Sequence, residues 1–330
     1  MKAASSTASE RRLARELGLQ ILLLLGTLVL AEVVLRIVDL RELRDGYSVG
    51  ASTVYRYDAE LGWRPIPNAS SLFRGAQTVS IKTNSIGLRD IEHDRSPRQT
   101  VLFLGDSFTW GYDVETDQRF TERLREVFPR TRIVNAGVVG YGTDQEYLLL
   151  DQIWSTYEPD IVVLMFCVDN DRKDNATNAS SPGYYKPYLE QTGDGGWRFA
   201  GRPVPKSRHV YFIENPIVRN SWVARAAVTA YIYLRYPQIT VPDPTLHLIE
   251  MMRSRVEDQH RKFLIGLQRH DEALEAFLHE RGIPHAVFDG APSYDRDGNH
   301  WTPEGQKLVA ERLQKLLVDA AGLTSAAASQ

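Results

Sequence analysis

Apolar residues are spread along this chain in three different ways. Near the N-terminus, residues 17–31 carry no charge, and apolar character continues through Val33, Val34, Leu35, Ile37 and Val38. The ILLLLGTLVL core of this run is apolar on every side, unlike a soluble helix that buries one face. Its length is close to the ~20 residues a helix needs to cross a bilayer. Later come short runs, 101–104, 132–136, 161–168 and 285–288, that read as strands, the third of them continuous enough to be buried on both faces. Between and after them the spacing is helical: Phe120, Leu124, Val127 and Phe128; Tyr147, Leu148, Leu150 and Ile153; Leu308, Val309, Leu313, Leu316 and Leu317. Strands alternating with amphipathic helices predict an α/β domain around a parallel sheet.

The remaining stretches are less regular. Residues 39–99 predict a β-rich preamble and linker, with an alternating strand at 77–82 and a turn at 84–87. Arg89 and Asp90 in it are near enough in sequence to approach the site, but a surface salt bridge is the expected role. Residues 171–201 have no clear period and predict a long excursion. A helix is expected at 219–236, and one long helix or two across 245–281, where Leu246, Ile249, Met252, Val256, Phe263 and Leu264 mark a stripe. The Tyr and Trp content of this middle region suits either carbohydrate rings or half-buried packing. Asn68, Asn175 and Asn178 begin glycosylation-type tripeptides, a pattern that also arises by chance. The expected organisation is a cytoplasmic tail (1–16), a transmembrane anchor (17–38), the preamble (39–99), a main domain (100–320) with an insertion at about 172–283, and a disordered tail (321–330).

Charge gives the anchor a direction. Lys2, Arg11, Arg12 and Arg15 precede the span, which places the N-terminus in the cytoplasm and the main domain outside it, periplasmic or at the cell surface. Glu32 and Arg36 stand i, i+4 near the far end, where they can pair. No A-x-A site follows the apolar core, so retention is expected over cleavage. A net charge of −3 gives no general attraction to nucleic acid, and none is expected as a partner. The single cysteine, Cys167, excludes an intrachain disulfide and a multi-cysteine zinc site, and its apolar surroundings predict a buried small hydrophobe.

Candidate chemistry sits at the strand ends. The first strand of the main domain runs into Gly105-Asp106-Ser107, placing a serine just past a carboxyl end, where open α/β sheets bind ligands. The second is followed by the Gly137, Gly140, Gly142 corner, which lacks the dinucleotide fingerprint and any G-K-[ST] but offers backbone N–H groups to a pocket. The third ends at Asp169-Asn170-Asp171. A hydroxyl with nearby donors is the equipment of nucleophilic acyl chemistry. Thr302, Pro303 and Glu304 predict a helix start just past His300. A general base for Ser107 must be oriented through its far ring nitrogen, and Asp297, three residues before His300, supplies an acceptor. Asp289, Asp295, Asp297 and His300 lack dedicated metal-ligand spacing, so neither metal nor cofactor is expected.

Four blocks in order resemble the SGNH (GDSL-type) hydrolase superfamily: Gly105-Asp106-Ser107, the Asn135 to Gly140 glycine block, Val168-Asp169-Asn170-Asp171 and Asp297-Gly298-Asn299-His300. The third block usually opens with glycine, where this chain has Val168. The resemblance implies a three-layer, flavodoxin-like sandwich with a central parallel sheet, preceded here by one transmembrane helix as in membrane-tethered bacterial members. It also implies a Ser107–His300–Asp297 triad and an oxyanion hole from the backbone of Ser107 and Gly140 and the side chain of Asn170. The expected activity is ester hydrolysis through an acyl-serine, on acyl or acetyl esters of a glycan or lipid. The alternatives are an O-acyltransferase acting on an extracytoplasmic polysaccharide, with the same residues and a sugar acceptor, and a catalytically idle carbohydrate-binding protein.

Overall fold

The computed structural model of the chain describes residues 3–44, 54–94, 96, 98–181, 184–295 and 299–325. They form two compact units, 1–46 with 207–237, and 47–206 with 238–330.

The larger unit is organised on a five-stranded sheet of β5 (Thr100–Gly105), β6 (Arg132–Asn135), β7 (Ile161–Phe166), β12 (Lys262–Leu267) and β13 (His285–Val287). All its pairings are parallel, in the order β13-β12-β7-β5-β6. Numbered within the sheet this is 2-1-3-4-5, the flavodoxin-like order, in which strand direction of winding reverses between β5 and β7. The expected three-layer α/β sandwich is therefore present.

Alternation along the central strands divides the core. Leu102, Leu104, Val162, Leu164 and Phe166 belong to one apolar cluster, with Leu148 to Leu150 and Ile153 of α4 (Thr143–Tyr157), Ile249 and Met252 of α9 (Thr245–Glu257), and Leu274 and Leu278 of α10 (Glu272–Glu280). Val101, Phe103, Ile161, Val163 and Met165 belong to the other, with Phe120 and Leu124 of α3 (Phe120–Val127) and Val309, Leu313 and Leu317 of α11 (Pro303–Ala321). Each large side chain fully buried in this way contributes about 1.5–3 kcal/mol. Helices on both faces explain why β5 and β7 are buried throughout.

Two expectations need correction. Residues 262–267, expected to continue a helical stripe, form β12 instead, and Phe263, Leu264 and Ile265 are buried in the sheet. The main sheet thus draws a strand from within the segment marked as an insertion. Arg89 and Asp90 are buried, not a surface pair, with 1% and 8% of their surface exposed.

The preamble is two antiparallel hairpins, β1 (Tyr55–Asp58) with β2 (Gly62–Pro65), and β3 (Ser70–Arg74) with β4 (Thr78–Lys82). Leu61 between the first pair is fully buried in the main core. The excursion after β7 holds α5 (Asp171–Asn175) and two short strand pairs, β8 (Ala179–Ser181) with β9 (Tyr184–Tyr185), and β10 (Tyr188–Gln191) with β11 (Trp197–Ala200). Asn175 is buried and donates to the hydroxyls of Thr143 and Thr245, so it has no room for a glycan. The C-terminal helix reaches Ala321 and Leu323 is buried beyond it, while residues 326–330 of the expected tail lie outside the described residues.

The smaller unit contains the long helix α1 (Ala3–Val38) with α6 (Arg208–Glu214), α7 (Pro216–Asn220) and α8 (Trp222–Arg235). Helix α1 already includes residues of the expected polar tail. Its stretch Ser9–Val38 has a mean hydropathy of 2.5 in its most apolar window, none of which is buried, so by length and composition it can cross a membrane.

Candidate active site

The turn after β5 is shaped by its three residues. A Cβ on Gly105 would lie 2.1 Å from Thr109 Oγ1 and 3.0 Å from Met165 Cβ, so only glycine fits. Asp106 is buried and accepts the Phe108 N–H at 2.9 Å, capping the one-turn helix α2 (Ser107–Trp110). Ser107 opens that helix and is half-exposed among buried neighbours.

Two loops flank the turn, because β5 lies between β6 and β7 in a parallel sheet. After β6, Val138 N–H donates to the Gly105 carbonyl at 2.9 Å. Asn135 Nδ2 donates to the Thr109 carbonyl at 2.7 Å, while its Oδ1 accepts the Gly137 N–H at 3.0 Å. Gly140 follows in a left-handed conformation, φ +76°, that side chains rarely adopt. Trp63 braces this loop, donating from Nε1 to the Val139 carbonyl at 3.1 Å and accepting on its own carbonyl the Tyr141 hydroxyl at 2.6 Å. After β7, Asn170 donates from Nδ2 to Asp174 Oδ2 at 3.0 Å, which fixes the amide plane. Val168 has no positive φ, so the departure from glycine imposes no left-handed strain there.

His300 arrives from the opposite end of the sequence. The segment carrying it is held by Thr302 N–H to the Pro292 carbonyl (2.9 Å), by Tyr294 N–H to the His300 carbonyl (2.9 Å) and by the Thr302 side chain, which caps α11 by accepting the Gly305 N–H at 3.2 Å. Trp301 is buried against Phe108 and Phe288. The imidazole stacks on Tyr112 at 4.2 Å between centroids, 21° between planes. Its Nε2 is 2.8 Å from Ser107 Oγ. Sequence positions 193 apart are thereby within hydrogen-bond distance.

On the far ring nitrogen the structure adds a carboxylate that the sequence did not single out. Asp113 Oδ2 is 3.8 Å from His300 Nδ1. Asp113 is buried, its backbone is held at φ +63°, and its other oxygen accepts the Gln77 N–H at 3.4 Å. Its only sequence signal is a place in the Gly111-Tyr112-Asp113 turn just after the serine. Asp297, the acid expected from the D-x-x-H spacing, lies outside the described residues.

Buried Arg89 and Asp90 each serve this geometry through other partners. Arg89 donates to the carbonyls of Trp110 (3.2 Å), Gly111 (2.5 Å) and Val114 (2.8 Å), the turn that carries Tyr112 and Asp113. Burial, with the charge of Arg119, lowers its guanidinium to about 9. Asp90 accepts the Asn135 N–H at 2.9 Å and meets His93 at 2.8 Å. Burial alone would raise its pKa, but the His93 bond and the charges of Arg125 and Arg119 outweigh it and hold Asp90 below its ordinary value.

Behind the serine lies a layer of buried carboxyls. Burial raises Asp106 to about 6, against hydrogen bonds from Phe108, Asn170, Cys167 and Ser107. Glu146 is raised well above the ordinary range by burial and then by the charges of Asp106 and Asp144. Asp171 is raised likewise by burial and by Glu146 and Asp106. Three carboxyls in one dry region cannot all ionise, and the fold favours protonated Glu146 and Asp171. Burial also raises Asp174 to about 6, opposed by the positive charge of Lys186 and the hydrogen bond with Asn170. Cys167 is buried and its thiol is pushed up by burial, as expected for an inert small hydrophobe.

Chemically, a hydroxyl bonded to an imidazole that has a carboxylate behind it is the arrangement needed to form an alkoxide-like nucleophile near neutral pH. The family model described as GDSL-like Lipase/Acylhydrolase family matches residues 103–308. Among curated proteins, none matches this sequence. Similar solved structures include a member of the lipolytic protein G-D-S-L family from Veillonella parvula, 15% identical, covering 67% of this chain and 99% of that one with a TM-score of 0.40. Another is the psychrotrophic esterase EstA from Pseudoalteromonas sp., 10% identical, covering 68% of this chain and 99% of that one, also with a TM-score of 0.40.

Proposed function

The chain belongs to the GDSL-like lipase/acylhydrolase family and is a hydrolase acting on ester bonds; from that premise we propose that it is a membrane-tethered serine esterase working outside the cytoplasm on acyl esters of a glycan or lipid. The observation that carries the assignment of its nucleophile is the 2.8 Å contact between Ser107 Oγ and His300 Nε2. His300 takes the Ser107 proton as Oγ attacks the ester carbonyl. The backbone N–H groups of Ser107 and Gly140 receive the developing oxyanion, joined by the amide of Asn170 once it turns one N–H away from the Asp106 and Asp174 carboxyls, each such donor being worth about 3 kcal/mol. His300 returns its proton to the leaving alcohol, and water, activated by the same imidazole, releases the acid from the acyl-serine. Asp297 orients His300, as the D-x-x-H spacing implies, and Asp113 adds a carboxylate 3.8 Å from His300 Nδ1.

Retention of the N-terminal helix is supported by Glu32. Its carboxylate accepts the backbone N–H groups of Trp222 (2.8 Å) and Val223 (3.0 Å) and the Ser221 hydroxyl (2.9 Å), so removing the helix would leave the first two N–H groups of α8 without their acceptor. The basic residues ahead of the span support an outward-facing main domain.

The test is a series of p-nitrophenyl esters of increasing acyl length, run on the full chain in detergent and on His300→Ala. Turnover that disappears in the variant, with free acid as the product, supports the proposal. Unchanged turnover in His300→Ala overturns the site, and acyl groups recovered on an added oligosaccharide rather than as free acid overturn hydrolysis in favour of transfer.

A further inference from the structure

The helices of 208–235 belong to the same unit as the span, and their surface is unusual for a water-facing segment. Ile217 is 73% exposed and Leu234 is 85% exposed, with Tyr231 and Ile213 about half exposed. Residues 207–237 carry four arginines, Arg208, Arg219, Arg225 and Arg235, against one acid, Glu214. Arg219 and Arg235 are exposed.

The level of these helices along α1 is fixed by a two-part clamp. Glu32 caps the start of α8, and Arg36, paired to Glu32, donates from Nη2 to the Asn220 carbonyl at 2.8 Å, just before that cap. Arg225 Nη1 donates to the Leu43 carbonyl at 2.8 Å. Glu32 is the first charged residue after the apolar run 17–31. The junction of α7 and α8, with Trp222, is therefore held where the lipid-compatible part of α1 ends. In a bilayer that is the headgroup boundary, where Trp and Tyr are enriched and arginines meet lipid phosphates.

Resting on the tethered reading above, we propose that residues 208–235 form an interfacial module that docks on the membrane surface beside the span. Ile217 and Leu234 enter the acyl boundary, and Arg219 and Arg235 meet anionic headgroups. The occupant of this apolar, basic surface is the bilayer itself. Continuity with the bare apolar surface of α1, the matching of level by Glu32, and a positive balance suited to anionic lipid all favour that occupant.

The test uses the full chain in phosphatidylcholine vesicles with and without phosphatidylglycerol, with nitroxide labels on Ile217→Cys, Leu234→Cys, Leu22→Cys and Asp194→Cys. Cys167, 2% exposed, stays in place, and labelled wild type gives the background. The expected result is that labels at 217 and 234 are reached by oxygen more readily than by a water-soluble nickel chelate, as at 22 and opposite to 194. Arg219→Gln or Arg235→Gln should reduce the docked-to-free ratio about fivefold each in the anionic vesicles. A Leu22 label open to the chelate would refute the tether itself. A lipid-embedded Leu22 label with 217 and 234 open to the chelate overturns the module alone. Labels at 217 and 234 shielded from both reagents also overturn it, because that pattern means a protein partner.

Discussion

Replacing Asp113 by Asn keeps the shape of a buried side chain and removes one charge facing His300. When His300 takes the Ser107 proton, the ring becomes an imidazolium with a carboxylate 3.8 Å from Nδ1. Two unit charges at that separation attract by ~4 kcal/mol at an effective dielectric of about 20. That attraction favours the charged ring and is realised chiefly in the transition state, where the base has taken up the serine proton. Losing it entirely would slow the chemical step roughly 10³-fold. With Asp297 in its proposed place as a second source of negative potential, the expected fall in kcat/KM is about 10²-fold, with KM nearly unchanged. The assay is steady-state hydrolysis of a short p-nitrophenyl ester by Asp113→Asn, Asp297→Asn and the double variant, with near-UV dichroism to establish folding. A folded Asp113→Asn enzyme within about threefold of wild type would refute the role of this charge. A double variant no worse than Asp297→Asn would do the same.

Two further predictions concern stability and pH. Glu146 is held well above its ordinary pKa by burial and by Asp106 and Asp144, so the fold binds a proton there that the unfolded chain gives up above about pH 4.5. Stability should therefore fall as pH rises above about 4.5, and Glu146→Gln should remove part of that slope. Denaturant midpoints at pH 5 and pH 8 measure it, and an unchanged slope would contradict the buried acid layer. His209 is lowered to about 3 by burial and by the charges of Arg208 and Arg225, from an ordinary value of 6.5. Its neutral form is the folded one, so stability is intact above about pH 6.5 and is lost as pH falls towards 3. The cost is roughly 1.4 kcal/mol per pH unit in that window. Hydrogen exchange of 207–237 at pH 4.5 should be faster than at pH 7 after correction for intrinsic rates, and the difference should be smaller in His209→Asn.

Much of this arrangement was legible because its signals are local. β5, β6, β7 and β13 announce themselves as short apolar runs between helices of 3.6 periodicity, and Gly105-Asp106-Ser107 and His300 stand at element boundaries marked by turn and cap residues. β12 was hidden because Phe263 and Leu264 fall at i+7 and i+8 from Val256, continuing a helical stripe in phase. The break is a turn in which His260 takes φ +56°, and no Gly or Pro marks it. The burial of Arg89 is hidden in the sequence for a different reason. A buried arginine is tolerable only where several carbonyls converge, and the carbonyls of Trp110, Gly111 and Val114 are brought to it by tertiary packing. Asp113 carries no local mark of its place behind His300, since the contact requires the C-terminal segment to fold back across the sheet edge.

The central claim is that Ser107 is a nucleophile activated by His300. An aryl alkylphosphonate that reacts covalently with activated serines, followed by intact mass and peptide mapping, tests it directly. One adduct per chain is expected, on Ser107, absent in Ser107→Ala and formed far more slowly in His300→Ala. An adduct on another residue, or labelling of Ser107 at the same rate without His300, would contradict it.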